Sequence, residues 1–137
     1  WVPEGSRIVV FGAHLHGQPL NHQLTSRGAR PLGPVRTSPD YRMLALDTVP
    51  AKPGLVRTPS GGVSIAGEEW VLPAARLGEF LDDLASPMTV GKVTLDDGRV
   101  ALGFLCEPWA VEGAADVSSY GGWVAYRAAA DHATVSA

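Results

Sequence analysis

Residues 7–21 read R-I-V-V-F-G-A-H-L-H-G-Q-P-L-N and carry the most informative pattern in the chain. The apolar run at 7–11, closed by Gly12, is typical of a buried strand that enters a turn. The loop at 12–19 then leads into a brief helix predicted around 20–26. A glycine turn, two histidines and an amide therefore follow directly on a buried strand, an arrangement that suits a binding site.

The remainder of the first half is predicted to be mostly β. Pro and Gly residues divide 29–46 into two extended pieces with a turn at 37–40. Segments 55–58 and 63–72 are predicted as further strands, joined across a Ser-Gly-Gly step.

The second half contains one amphipathic helix and one hairpin. Apolar residues recur at helical spacing over 74–84, after Pro73, with charged residues on the other face. The Asp-Gly step at 97–98, between apolar runs at 90–95 and 99–105, supplies the left-handed geometry of a tight hairpin turn.

The C-terminal segment 116–130 predicts a second helix, capped by Asp116 or Ser118. Its aromatic residues recur at three-residue steps, which favours packing of the helix onto a sheet. These are Tyr120, Trp123 and Tyr126. Residues 131–137 show no period and are predicted to be a frayed tail. Residues 1–130 are then predicted to form a single domain.

The composition indicates a globular cytoplasmic protein. The chain has 137 residues, of which 45% are hydrophobic and 18% charged, as in one ordinary domain. A net charge of −3 without a dense Lys/Arg stripe predicts no nucleic-acid partner and no anionic membrane surface. No apolar run approaches the roughly 20 residues that span a bilayer, and the start lacks a signal-peptide pattern. Cys106, the single cysteine, lies in an apolar strand and is predicted to be buried packing.

The loop after the first strand is the leading candidate for chemistry. Free backbone N–H groups at a strand-to-helix turn point outward together and can hold a carboxylate. This geometry favours a small acidic ligand. In the alternative interpretation, Gly12 makes the turn and His14 and His16 are surface imidazoles.

A metal site on His14, His16 and His22 is a weaker interpretation. Residues two apart on an extended segment share a face, but no carboxylate lies close enough in sequence to suggest a further ligand. Neither a metal nor another cofactor is predicted.

Several charged residues beyond this loop could also face a site. Lys52 lies on a Lys-Pro-Gly turn and could pair with an anionic substrate, or be an exposed turn lysine. Glu68 and Glu69 are adjacent on a strand, so one is expected to point inward and need a partner or a role. Glu107 could reach a pocket mouth or cap its strand. No nucleophile elbow, phosphate loop, dinucleotide fingerprint or Cys-x-x-Cys pair is present.

Several strings, taken together, resemble one family. They are Phe11-Gly12-Ala13-His14-Leu15, Gln18-Pro19-Leu20-Asn21, Arg36-Thr37, Tyr41-Arg42, Lys52-Pro53-Gly54-Leu55, Gly67-Glu68 with Trp70, Gly103-Phe104-Leu105-Cys106-Glu107 and Tyr120-Gly121-Gly122-Trp123. They span almost the whole chain and resemble the C-terminal domain of allophanate hydrolase.

The resemblance implies a fold of the γ-glutamyl-cyclotransferase-like kind. This is an α+β fold, a small twisted mixed β-barrel with flanking helices, in which the loop after the first strand forms part of the pocket. In the true cyclotransferases that loop resembles Tyr-Gly-Ser-Asn-Leu, and a glutamate near the central helix is the general base. Here the loop begins Phe11-Gly12-Ala13, and residues 85–88 contain no glutamate. Cyclotransferase activity is therefore not expected.

The resemblance also implies a reaction and a set of site residues. An amidase domain releases ammonia from allophanate, and the C-terminal domain decarboxylates the resulting N-carboxycarbamate. A histidine is the natural proton donor for that step, so the resemblance assigns His14 as general acid/base. The remaining implied substrate-binding residues are Gly12, Ala13, Leu15, Asn21, Tyr41, Lys52, Gly54, Arg57 and Glu68. Backbone N–H groups at 12–15 would hold one carboxylate, and Lys52 or Arg57 would clamp the other.

The partners implied are a small anionic substrate and an amidase-signature domain in cis or in trans, with a homodimer as a further option. Two rival functions stay open. One is a non-catalytic assembly or dimerisation module, which would show apolar surface without convergent polar groups. The other is a stand-alone enzyme on another small carboxylate or amide, with Glu68 or Glu107 in its pocket.

Overall fold

A computed structural model describes the backbone of residues 5–136 and the side chains of residues 5–131. The strands are β1 (Ser6–Val10), β2 (Arg30–Arg36), β3 (Tyr41–Leu46), β4 (Lys52–Arg57), β5 (Ala66–Leu72), β6 (Met88–Thr94), β7 (Val100–Cys106) and β8 (Ala115–Asp116). The α-helices are α1 (His22–Thr25), α2 (Leu77–Asp82) and α3 (Trp123–Ser136), with 3-10 turns at Ala74–Arg76, Pro108–Val111 and Ser118–Tyr120. Within residues 5–136, no helix is both long and apolar enough to cross a membrane.

The larger sheet has five strands in the order β2-β5-β1-β7-β6. β1 lies at its centre, antiparallel to β5 and parallel to β7. A central strand with both faces covered must be apolar throughout, and Ile8, Val9 and Val10 are fully buried. The strand predicted at 7–11 is confirmed, and its end carries the following loop into the middle of the molecule.

The smaller sheet has three strands in the order β4-β3-β8. Isolated bridges join Thr37 to Leu95 and Tyr41 to Val63. In the described residues these bridges do not extend into a ladder that closes the two sheets. The predicted mixed α+β class is therefore confirmed, and the barrel is not. The turn at 37–40 redirects the chain from one sheet to the other, and the two-residue β8 is too short to continue the pairing.

The predicted hairpin and the predicted helix after Pro73 are both confirmed. β6 and β7 pair antiparallel, and Gly98 has a φ of +89° with its N–H bonded to the carbonyl of Leu95. Helical backbone begins with a 3-10 turn at Ala74–Arg76 and continues as α2. Phe80 is buried on the inner face of α2, as the apolar spacing indicated.

The C-terminal helix begins later than the sequence indicated. Ala115–Asp116 is a short strand, and Asp116 Oδ1 accepts a hydrogen bond from the N–H of Ser118, the first residue of a 3-10 turn rather than of the helix. Gly121 then adopts a φ of +75°, which ends that turn. α3 therefore starts at Trp123, whose ring is buried. It continues through residues 131–136, where the sequence predicted a frayed tail.

Candidate functional site

The loop after β1 is closed by its own hydrogen bonds. The N–H of Leu15 donates to the carbonyl of Gly12 (2.9 Å), and the N–H of Leu20 donates to Ala13 (2.8 Å). The side-chain amide of Asn21 donates to the carbonyl of His14 (2.8 Å). Asn21 therefore holds the loop in shape. The amide of Leu15 is not free for a ligand, which corrects the prediction that it would help to hold a carboxylate.

His14 is a buried histidine rather than a surface imidazole. Only 5% of its surface is exposed, and its ring lies 4.9 Å from that of Phe104 and 5.5 Å from that of Phe80, between centroids. Its Nε2 lies 2.7 Å from Oε1 of Gln23. Burial lowers the pKa of His14 from 6.5 to about 4, and the positive charge of Lys52 adds to this while the Gln23 hydrogen bond opposes it. His14 is therefore neutral near pH 7.

Lys52 begins β4 and is also buried, with 7% of its surface exposed. Burial lowers the pKa of its ammonium group. In the described part of the chain, no carboxylate lies within ion-pair distance of it. The ammonium is not sealed in the interior, since every fully buried side-chain nitrogen or oxygen in that part of the chain has a partner. A cation that is partly desolvated and lacks a counter-ion would be stabilised by an anionic ligand.

His14 and Lys52 line the same cavity. The other lining residues are Phe11, Gly12, Ala13, Pro53, Leu55, Leu84, Met88 and Phe104. The cavity has a volume of about 20 Å³, which is room for about one water molecule. Of the lining residues, Leu84 and Met88 are partly exposed while the rest are buried. A ligand larger than water therefore requires lining side chains to move, and Leu84 and Met88 are the two that reach the surface.

Six of the nine predicted substrate-binding residues do not line this cavity, namely Leu15, Asn21, Tyr41, Gly54, Arg57 and Glu68. Tyr41 is in the core, where its hydroxyl accepts the N–H of Thr94 (3.0 Å). Gly54 packs so closely that an added Cβ would lie 2.8 Å from the sulfur of Cys106. Cys106 is buried, as predicted.

Arg57 also lies away from His14. It is at the far end of β4 from Lys52, roughly 16 Å along the strand. Its side chain is 59% exposed, and its guanidinium donates a hydrogen bond to Thr94 Oγ1 (3.2 Å). The prediction that Arg57 could clamp the second carboxylate is therefore wrong, because residues five apart on a strand point to opposite faces.

Glu68 does not line the cavity that contains His14. Its Oε1 accepts hydrogen bonds from the N–H of His16 (2.9 Å) and from Trp70 Nε1 (3.1 Å). It lines an open groove of about 490 Å³ beside Tyr120 and Trp123. The predicted site is thus divided: Gly12, Ala13, His14 and Lys52 come together, whereas Glu68 does not join them.

The other acidic candidates have structural partners. Glu69 is the inward-pointing member of the adjacent pair, as the strand period predicted, and it pairs with Arg99 (3.2 Å). Glu107 accepts a hydrogen bond from Trp109 Nε1 (3.2 Å) at the surface. Neither lines the His14 cavity.

His14, His16 and His22 do not come together to form a metal site. His14 is buried, while His16 and His22 are exposed. Among the described residues there is no group of three His, Cys, Asp or Glu side chains that could hold a metal ion.

Sequence reasoning missed four side chains around His14, namely Gln23, Leu84, Met88 and Phe104. In the sequence, Phe104 is one apolar residue of a predicted strand, and Leu84 is one apolar position in the helical period at 74–84. Gln23 lies nine residues after His14, and a single polar residue on a four-residue helix carries no pattern. The apolar period indicated burial for some of these residues, but not which neighbour each would touch.

Gly12 has a steric role that yields a prediction. A Cβ added to it would lie 2.1 Å from Cδ of Pro53, so the loop and β4 cannot approach unless this residue is glycine. We expect Gly12→Ala to lower the free energy of unfolding by about 1–3 kcal/mol, measured by urea denaturation. Gly78→Ala is the control, because it has open space on α2 and should raise stability by about 0.5–1 kcal/mol. Equal stability of Gly12→Ala and wild type would contradict this packing.

The chain is similar to known proteins over almost its full length. The sequence model of the allophanate hydrolase C-terminal domain matches residues 6–128. The chain is 38% identical to the urea amidolyase of Lachancea kluyveri over 130 residues, which cover 90% of this chain and 7% of that protein. It therefore spans a small fraction of the length of the curated relatives that it matches.

Solved structures agree with this assignment. The allophanate hydrolase of Kluyveromyces lactis superposes with a TM-score of 0.86 at 36% identity, over 90% of this chain and 21% of that chain. A γ-glutamyl cyclotransferase superposes with a TM-score of 0.57 at 12% identity, over 82% of this chain and 70% of that chain, a likeness of fold alone. On the sequence match, the chain belongs to the allophanate hydrolase C-terminal domain family.

Proposed function

We propose that this chain decarboxylates N-carboxycarbamate, as the accessory catalytic domain beside an amidase that forms this compound from allophanate. The observation that supports the proposal is that one cavity is lined by a buried, neutral histidine and by a lysine that has no counter-ion among the described residues. Urea or cyanuric-acid-type nitrogen catabolism is the setting that we propose, with the amidase-signature domain in cis or in trans and in the cytoplasm.

The two side chains match the charge changes of the reaction. N-carboxycarbamate carries two carboxylates on one nitrogen. When the bond between that nitrogen and one carboxylate carbon breaks, carbon dioxide leaves and the electron pair stays on nitrogen, which takes a proton to become carbamate. In our proposal, Lys52 holds the retained carboxylate, and His14 delivers the proton to nitrogen.

Burial is the main cause of the low pKa of His14. A bound dianion favours the imidazolium, because an opposite charge within a few ångströms raises the pKa of a histidine. His14 is therefore expected to take up a proton together with the substrate. Solvent returns the proton after carbon dioxide leaves.

The rival functions have less support in the site. An assembly module does not require a buried lysine and a histidine to line one cavity, although a homodimer remains compatible with a catalytic domain. A stand-alone enzyme with a carboxylate base would use Glu68 or Glu107 in its pocket. Neither lines the cavity that holds His14 and Lys52, and Glu68 lines the separate groove beside Tyr120.

Lys52→Met should separate ligand binding from folding. We expect the variant to lose roughly 10- to 100-fold in substrate affinity, the worth of one hydrogen bond to a charged group. We expect its free energy of unfolding to equal or exceed that of wild type, because the variant removes a partly desolvated cation that has no counter-ion in the described part of the chain. Lys92→Met, at the exposed lysine of β6, is the matched control. Weakened folding together with unchanged affinity would count against an anion-binding role.

The proposal is tested by the rate of carbon dioxide release from N-carboxycarbamate, generated in place from allophanate by an amidase domain, with and without this chain. Acceleration that grows in proportion to the concentration of the chain is the expected result. If the rate stays at that of the unaided breakdown, the decarboxylase proposal is wrong, and the assembly role becomes the better explanation.

A further inference from the structure

Gln23 is a polar neighbour of the His14 ring in the described structure. Its Oε1 lies 2.7 Å from His14 Nε2. The same ring packs in tilted geometry against Phe80 of α2 and Phe104 of β7. Because a carbonyl oxygen can only accept a hydrogen bond, Nε2 carries the hydrogen and the neutral ring has its lone pair on Nδ1.

Nδ1 is the ring nitrogen that Gln23 does not bind. It makes no hydrogen bond within the described part of the chain. It is not sealed in the interior either, since every fully buried side-chain nitrogen or oxygen atom in that part has a partner. His14 lines the cavity whereas Gln23 does not, so the two ring nitrogens have different surroundings.

The backbone of Gln23 is anchored from two sides. Leu24, its neighbour on α1, is fully buried. Arg27 donates to the carbonyl of Gln23 (2.9 Å) and also pairs with Glu79 (3.1 Å) and Asp83 of α2. These contacts connect α1, which carries Gln23, to α2, which carries Phe80.

We propose that Gln23 is a positioning residue that fixes the tautomer of His14, with Nε2 protonated and Nδ1 directed to the ligand. An amide oxygen at Nε2 suits both protonation states, because Nε2 is a donor in the neutral ring and in the imidazolium. His14 can then gain and lose a proton at Nδ1 without a rearrangement of its support. This inference deepens the proposed function and rests on it for the identity of the reaction, but not for the tautomer.

The remaining groups near His14 do not select a tautomer. Lys52 of β4 and His22 of α1 act on His14 through their charges, and both disfavour its protonation. Phe80 and Phe104 do not titrate. The Gln23 hydrogen bond favours the protonated ring, so its loss should move the pKa of His14 further down.

The test is nuclear magnetic resonance of the chain labelled with ¹⁵N in histidine, with two-bond ¹H–¹⁵N correlations recorded across a pH titration. In wild type near pH 7.5 we expect a pyrrole-like Nε2 and a pyridine-like Nδ1 at His14. Gln23→Met should give a mixture of tautomers and a lower pKa. Gln23→Glu should raise the pKa, because a carboxylate stabilises the imidazolium. Gln18→Met, in the preceding loop, should match wild type.

A Gln23→Met variant with the ring shifts and titration of wild type would overturn the inference, as would a pyrrole-like Nδ1 in wild type. In the carbon dioxide assay we expect Gln23→Met to lose at least roughly tenfold in rate through misplacement of the ring. The tautomer measurement needs no substrate. Failure of the chain to accelerate carbon dioxide release would therefore overturn the proposed reaction and leave the assignment of Gln23 to be decided by the spectra.

Discussion

Replacement of His14 by glutamine is expected to slow the release of carbon dioxide by roughly 10²–10⁴-fold, the usual contribution of a positioned general acid. Glutamine is close to histidine in size and can still bond Gln23, so the cavity and the loop should persist. It cannot titrate, and no proton would then be delivered as the carbon–nitrogen bond breaks. The measurement is the initial rate of carbon dioxide release with the amidase domain in excess.

His16→Gln is the matched control for this variant. It makes the same substitution two residues away in the same loop, where the side chain is exposed. We expect its rate to equal that of wild type. Equal losses in the two variants would mean that the loop matters only through its shape, whereas no loss in His14→Gln would remove His14 from the reaction.

The second large effect concerns folding. We expect the free energy of unfolding to fall in mild acid, because His14 is buried in its neutral form. The folded pKa is about 4 and the ordinary value is 6.5. Between these values the unfolded chain binds the proton and the folded chain does not. Stability is therefore full above about pH 7 and decreases as the pH falls towards 4. From pH 7.5 to pH 5 the loss from this group is about 2 kcal/mol.

Urea denaturation of wild type and His14→Gln at these two pH values would measure this contribution. The decrease in wild type should exceed that in the variant by about 2 kcal/mol. The exposed histidines are common to both proteins and cancel in the difference. Carboxylates such as Glu79 and Asp97, whose pKa values are lowered by their arginine partners, contribute mainly at lower pH. A decrease of equal size in the two proteins would show that His14 is not held neutral by burial.

Local patterns in the sequence were sufficient for the parts of the fold that depend on near neighbours. The apolar run that became β1, the Asp-Gly turn before β7 and the apolar period of α2 each reflect interactions within a few residues. The strand period also predicted that one of Glu68 and Glu69 would point inward. The start of the last helix was predicted too early, because the pairing of β8 with β3 is a contact between residues about 70 positions apart.

For the site, the sequence by itself determined that the loop after β1 is the place to look, because a glycine, two histidines and an amide follow a buried strand there. Tertiary structure alone decided which side chains meet. It buried His14 and Lys52 in one cavity, brought Gln23 to the ring, and left Arg57 and Glu68 elsewhere. The physical reason is that strand period and loop composition specify which way a side chain points relative to its own segment. The environment that sets a pKa or forms a cavity comes from other segments, packed from far away in the chain.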